Sequence, residues 1–263
     1  MNTSRRSLLG AALGGATAAA VGLPTATTAH AASWQQKWAP SASGDGLHAF
    51  ETIEDDRADS HPAGHPHIFA TGDNWRFTMH RVDRDTSTDR QRQEVTGLRN
   101  GSGGNYLKWT EGQTWRLTYS MYIPNSLKAT TTFTHIMQMK QPGSGTSPIV
   151  VQSLRRVNGK QTIELQLPVD GTLVGRADLD PLHDKWTDVD FQIKVGDGTS
   201  GSVRWILKSG GTTVIDKSKS GVDTFLDDRV RPKWGIYRSL GDTSGSLQNC
   251  YLLLTNLRGY QLV

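Results

Sequence analysis

Apolar and polar residues alternate at period two along most of this chain. In "WRFTMHRV" (75–82), Trp75, Phe77 and Met79 fall on one side, and Arg76, Thr78 and His80 on the other. That is the pattern of a strand with one face in a core and one in water. The same period runs through "TWRLTYSMYI", "TTFTHIMQMK", "SPIVVQSL", "TIELQLPV", "WTDVDFQIKV", "SVRWILK", "TTVIDK" and "CYLLLTNLRGYQL". Turn-forming clusters such as "VNGK", "GDGTSGS" and "KSGGT" stand between them. There Gly, Asn and Asp supply the backbone conformations of tight reversals. No stretch keeps a helical period over three turns. The pattern predicts an all-β protein, an antiparallel β-sandwich or barrel, with the C-terminal run as a closing strand. Residues 32–50, with Trp34, Trp38 and Phe50 among small polar residues, read as a loosely ordered lead-in, and residues 54–69 as a loop.

Composition and the chain ends narrow the class. The first 31 residues carry Arg5-Arg6, an apolar run rich in Ala and Gly, and Ala29-His30-Ala31. This is the layout of a twin-arginine-type export signal, and it predicts a secreted, extracellular protein beginning near Ala32. The formal net charge is +4. Removing residues 1–31 deletes two arginines and no acid, so the remainder is nearly neutral. A nucleic-acid partner, which needs a strong basic footprint, is not expected. No other apolar run is long enough to span a bilayer, so no membrane association is expected after signal cleavage. No linker divides residues 45–263 and no repeat occurs, so residues 32–263 read as a single domain; a monomer is expected. The single cysteine, Cys250, lies in apolar "LQNCYLLLTNL" and reads as a buried thiol.

Four places carry candidate chemistry. In "STDRQRQEV" (87–95), Arg90, Arg92 and Glu94 share one face. A guanidinium fork matches a carboxylate, and a neighbouring Glu can hold it in place. In "TTTFTHIMQMKQP" (130–142), parity puts Gln138 and Lys140 on the wet face and His135, with Met137 and Met139, on the core side, unless a bulge intervenes. His80 lies on the polar face of its strand, about ten residues before Arg90. If the chain turns back between them, His80 and Arg92 stand on adjacent strands. In "VRPKWGIYRSL" (230–240), Trp234 and Ile236 face the core while Lys233 and Tyr237 face solvent across Gly235. Gly235 leaves room there for a backbone or a sugar ring. A tyrosine beside cations has its phenolate favoured and can transfer protons. His61, His65 and His67 fit no established metal-ligand spacing, so no metal site is expected. No pair of carboxylates recurs on one strand face as glycoside hydrolysis requires.

Taken in order, Arg92-Gln93-Glu94, Gln138-Met139-Lys140 and Lys233-Trp234-Gly235-Ile236-Tyr237 resemble the R-x-E, Q-x-H and K-x-G-x-Y segments of β-jelly-roll polysaccharide lyases. This is the group of alginate lyases, glucuronan lyases and heparin-lyase-I-like proteins. The resemblance implies a concanavalin-like jelly roll with a concave substrate-binding sheet. It implies β-elimination on an acidic, uronic-acid-containing polysaccharide, glucuronan-like in preference, with no cofactor required and at most a structural calcium. It assigns proton transfer to Tyr237 and neutralisation of the substrate carboxylate to Gln138, Arg92 and His80. Arg90, Glu94, Lys140, Lys233 and Arg238 are then binding residues, with His135 in reserve. Lys140 stands where the group has its histidine, and Thr96 where an arginine follows R-x-E. Two other readings stay open. One is a non-catalytic carbohydrate-binding sandwich. The other is a hydrolase with an acid pair drawn from Glu51, Glu54 and Asp55.

Overall fold

The alternating segments form two antiparallel sheets packed face to face. The computed structural model describes residues 32–61, 66–100, 105–143 and 145–263. The expected export signal, residues 1–31, and His65 lie outside them. In chain order the strands are β1 (Trp34–Trp38), β2 (Thr52–Glu54), β3 (Ile68–Thr71), β4 (Asn74–Met79), β5 (Arg90–Thr96), β6 (Thr114–Tyr122), β7 (Thr134–Lys140), β8 (Val150–Val157), β9 (Lys160–Leu167), β10 (Thr172–Asp178), β11 (Trp186–Lys194), β12 (Gly201–Ser209), β13 (Thr212–Val222), β14 (Arg231–Ser239) and β15 (Cys250–Leu262). One sheet runs β13-β12-β11-β6-β15-β4-β3, with β1 also on β15. The other runs β10-β9-β8-β7-β14-β5-β2. This is the β-sandwich that the period-two pattern predicts. "GDGTSGS" forms the hairpin between β11 and β12.

The core lies between the sheets. Trp75, Phe77, Met79, Leu117, Phe191, Trp205 and Leu252 enter it from the first sheet. Met137, Met139, Leu154, Ile163, Leu165, Trp234 and Ile236 enter from the second. Cys250 is buried, and its sulfur accepts from Arg238. Six of the eight tryptophans are buried, so these rings form core rather than a binding strip.

The lead-in expected for residues 32–50 is instead a packed part of the fold. β1 pairs with β15, and a short helix, α1 (Ala42–Asp45), follows. Trp38 stacks on Trp234 at 6.0 Å, and Phe50 meets Trp75 edge-on at 5.7 Å. Two large rings separated by eleven residues, of which only Leu47 is large and apolar, show no period, yet each gains more by burial than its segment loses by ordering. β10 was also not visible in the alternation. It is an edge strand, largely exposed, so only one of its neighbours constrains its residues.

Replacing Trp38 by Ala removes a stacked ring from this core, with an expected loss of about 3–5 kcal/mol. Chemical denaturation of the wild type and the variant measures it. A change below about 1 kcal/mol contradicts the packed assignment.

Candidate active site

The outer face of the second sheet carries a cleft of about 570 Å³, walled by β2, β5, β7 and β14 and by the segment around Arg57 and Asp85. Register sets its floor. Tyr237 on β14 stands opposite Arg92 on β5 and His135 on β7, and Lys233 stands opposite Gln138. Each is therefore placed by backbone pairing before any side-chain contact is made.

At the centre lies Glu94, without solvent exposure. Gln138 donates to it at 2.5 Å, Arg92 at 3.1 Å, and the Lys233 ammonium lies 3.1 Å away. Lys233 also pairs with Glu54, which Arg57 reaches at 2.8 Å. Arg92 is fixed on its other side by Asp85 at 2.9 Å, and Asp85 binds Arg57 at 2.6 Å. Buried carboxylates and cations thus alternate, which is the arrangement that makes burial of charge tolerable. Burial raises the Glu54 carboxyl, but Lys233, Arg92 and Arg57 together outweigh it and hold it below its ordinary range. Glu54 is then an anion, not an acid. Glu51 is clamped by Arg229 and Arg231, and Asp55 by His67. Each of the three candidate hydrolase acids is thus engaged by cationic or imidazole side chains of the protein.

Two guanidiniums confront Tyr237. Arg90 donates to its hydroxyl oxygen at 2.6 Å, and Arg92 lies 3.9 Å from the ring centroid. Lys140 lines the same cleft. Burial, with Lys233 and Arg92 nearby, pushes its ammonium below the ordinary lysine range. Gly235 has φ +140°, and a Cβ there would stand 2.0 Å from the Gln93 carbonyl oxygen. The close approach is thus the neighbouring strand's backbone, not a sugar ring.

Three expectations need correction. His80 is not in the cleft. It follows β4, which belongs to the other sheet, so it is not adjacent to Arg92. His135 takes its place. His135 pairs with Ser153 and Met137 with Gln152, adjacent residues of β8, so Ile136 has no opposite number there. This bulge turns Ile136 and Met137 both inward and leaves His135 on the cleft side with Gln138. Arg238 lies on the core side, fully buried, bonded to Gln91 at 2.6 Å and to the Gln248 carbonyl at 2.9 Å. It ties β5 to the start of β15 and the segment before it, and does not line the cleft. Between β2 and β3 the described residues are loop, as expected, but the reading of the histidines changes, because His61, His67 and His80 come together, with ring nitrogens within 4.8 Å of one another. Arg57, Asp85 and Phe133 are cleft residues that the strand pattern did not single out. Arg57 and Asp85 stand on loops, where no periodicity marks them.

The site is thus a cation-lined cleft on the outer face of a β-sandwich. A family model described as polysaccharide lyase matches residues 22–251, and the chain belongs to that family. Solved structures show the same fold. A product complex of the family 7 alginate lyase A1-II' is similar at TM-score 0.55 and 14% identity, covering 85% of this chain and 99% of that one. The family 7 alginate lyase AlgAT5 gives 0.50 and 17%, covering 78% and 86%. The endo-β-1,4-glucuronan lyase of Trichoderma reesei gives 0.46 and 14%, covering 85% and 90%. No curated protein sequence matches significantly. The protein is a polysaccharide lyase with a jelly-roll fold.

Burial and the cations Arg155 and Arg92 hold the His135 imidazole far below the ordinary range, at about 3. It is therefore neutral at working pH. Between about pH 6.5, where an unfolded histidine takes up its proton, and about 3, the unfolded chain binds more protons than the folded one. Acidification across this window therefore favours unfolding. His135→Gln is expected to flatten the fall in Tm from pH 7 to pH 4. An unchanged slope contradicts the neutral, buried imidazole.

Proposed function

We propose that this lyase cleaves a uronic-acid polysaccharide by β-elimination, with Tyr237 as the proton-transferring residue. The supporting observation is the position of the Tyr237 hydroxyl. It faces a cleft walled by cations and receives the Arg90 guanidinium at 2.6 Å. As phenolate, Tyr237 takes the proton from C5 of the sugar. The C5 electron pair forms the C4=C5 double bond, and the C4–O4 bond breaks. The phenol then returns the proton to the departing O4 oxygen on the same face, and the base is regenerated.

The C5 proton is weakly acidic while the adjacent carboxylate carries a full charge. Donors and cations fixed where charge accumulates lower that barrier. Gln138 has one amide N–H held by Glu94, and its second N–H is the donor assigned to the substrate carboxylate, with neutral His135 and Lys140 beside it. The histidine role expected of His80 passes to His135. Arg92, bonded to Asp85 and Glu94 and stacked on Tyr237, positions the tyrosine. Lys233, held by Glu54 and Glu94, positions the floor. Every step is carried by side chains, so the reading requires no cofactor. A glucuronan-like chain is the favoured substrate, because Lys140 occupies the histidine position of the alginate-type motif. We propose that the enzyme is secreted, on the export-signal features above, and acts as a monomer. Among the described residues no helix is long and apolar enough to cross a membrane.

Ultraviolet absorbance of uronic-acid polymers incubated with the protein tests the reaction. Elimination leaves a conjugated double bond at the new non-reducing end, whereas hydrolysis leaves saturated sugars. A rise on glucuronan above alginate and heparin-type chains is expected, and saturated products would overturn the proposal. Tyr237→Phe is expected to lower kcat at least about 10²-fold with an unchanged circular dichroism spectrum. Full activity in that variant refutes the assignment. Lys140→Gln is expected to raise KM more than it lowers kcat, because its ammonium meets a carboxylate present in substrate and transition state alike.

A further inference from the structure

Behind the cleft wall is a second cluster that the elimination chemistry does not use. It gathers His61, His67, which opens onto β3, His80 at the end of β4, and Asp83 in the following turn. One ring nitrogen from each histidine falls within 4.8 Å of the other two. His67 is 4% exposed and Asp83 0%. Four buried atoms here lack a hydrogen-bond partner among the described residues: His61 Nδ1, His67 Nε2, His80 Nδ1 and Asp83 Oδ1. Buried polar atoms are rarely left so, and four in one place need a common cause.

The cluster is held in position by groups outside it. His67 Nδ1 contacts Asp55 Oδ1 at 3.0 Å, which leaves Nε2 aimed at the cluster. Asp83 Oδ2 accepts from the His80 backbone N–H at 2.7 Å, which leaves Oδ1 turned inward, 3.3 Å from His67 Nε2 but without hydrogen-bond alignment. The His61 backbone N–H is tied to Asp56 at 3.0 Å. A carboxylate behind a histidine is the arrangement that orients metal-ligating imidazoles. A proton on His67 would serve Asp83 Oδ1, and His80 Nδ1 stands 3.4 Å from Asp83 Oδ2 without hydrogen-bond alignment, but His61 Nδ1 would still have no partner. A cation serves all four.

We propose that His61, His67, His80 and Asp83 form a binding site for one divalent transition metal of the zinc type. Three imidazole nitrogens and one carboxylate oxygen suit zinc and its neighbours and are poor ligands for calcium, which prefers oxygen. Neutral imidazoles with the Asp83 and Asp55 carboxylates balance a charge of +2. Closing nitrogens now within 4.8 Å onto a tetrahedral centre with bonds of about 2.0–2.1 Å requires shifts of about 1 Å. The site is structural. It ties the 55–61 segment to the end of β4 and to the turn carrying Asp85, the carboxylate that holds Arg57 and Arg92.

The full chain, stripped by a chelator and dialysed, is titrated with Zn²⁺ by calorimetry and with Co²⁺ by visible absorption. One equivalent is expected, with intense tetrahedral Co²⁺ bands and a Tm rise of about 5–10 °C at a hundred-fold excess over Kd, reversed by chelator. Asp55→Asn is expected to weaken binding about 10–100-fold. His61→Gln, at the half-buried rim, removes a ligand without opening the core, so it is expected to fold and to lose the Co²⁺ bands. Calcium in place of Zn²⁺ is expected to leave Tm unchanged. The proposal is overturned if the wild-type chain takes up no stoichiometric Zn²⁺, or if His61→Gln binds it as tightly as wild type. Neither readout depends on lyase activity.

Discussion

A single buried carboxylate organises the catalytic face. Glu94 has no contact with water, and Gln138, Arg92 and Lys233 converge on its carboxylate. These three partners come from β7, β5 and β14, so the requirement to neutralise one charge fixes three strands' side chains at once. Removing Gln138 leaves a buried carboxylate oxygen without its donor, a loss of about 1–3 kcal/mol, and removing Arg92 or Lys233 breaks a buried ion pair, a loss of up to about 3–5 kcal/mol. Glu54 and Asp85 repeat the logic one shell out, and Arg57 closes the ring. The cleft is thus assembled as a block of alternating charge, and Tyr237 inherits its position from that block through Arg92.

This explains why groups that look like substrate ligands in the sequence divide into two kinds. Arg92 and Lys233 spend their hydrogen bonds on carboxylates of the protein. Arg90 divides its guanidinium between Asp89 and the Tyr237 hydroxyl, and Lys140 and the second N–H of Gln138 are what the cleft offers outward. A motif records that both kinds are needed and does not separate them.

Alternation was enough to read most of the fold, because a sandwich strand with one buried face writes its burial directly into parity. Trp75, Phe77, Trp234 and Ile236 are all buried as that parity requires. The order of R-x-E, Q-x-K and K-x-G-x-Y was likewise enough to bring Arg92, Gln138, Lys233 and Tyr237 to one face. What stayed illegible was whatever parity cannot encode. His80 and Arg92 are close in sequence, but the chain crosses between sheets from β4 to β5, and no local pattern marks a crossing. His135 was assigned inward because the extra residue at Ile136 leaves no trace in composition. Trp38 and Phe50 pack because of partners nearly two hundred and some twenty-five residues away, Trp234 and Trp75. The histidine cluster is assembled from a loop, a strand start and a strand end, so linear spacing could not reveal it.

The bulge at Ile136 has a consequence for how such enzymes diversify. In a strict strand, moving a side chain from the interior to the surface reverses every residue beyond it and destroys the core. One supernumerary residue confines that reversal to the positions on a single side of the insertion. Met137 and Met139 keep their places in the core while His135 is delivered to the outer surface. A single-codon insertion is therefore a mutational step that recruits a new functional group to a jelly-roll face without rebuilding the strand downstream.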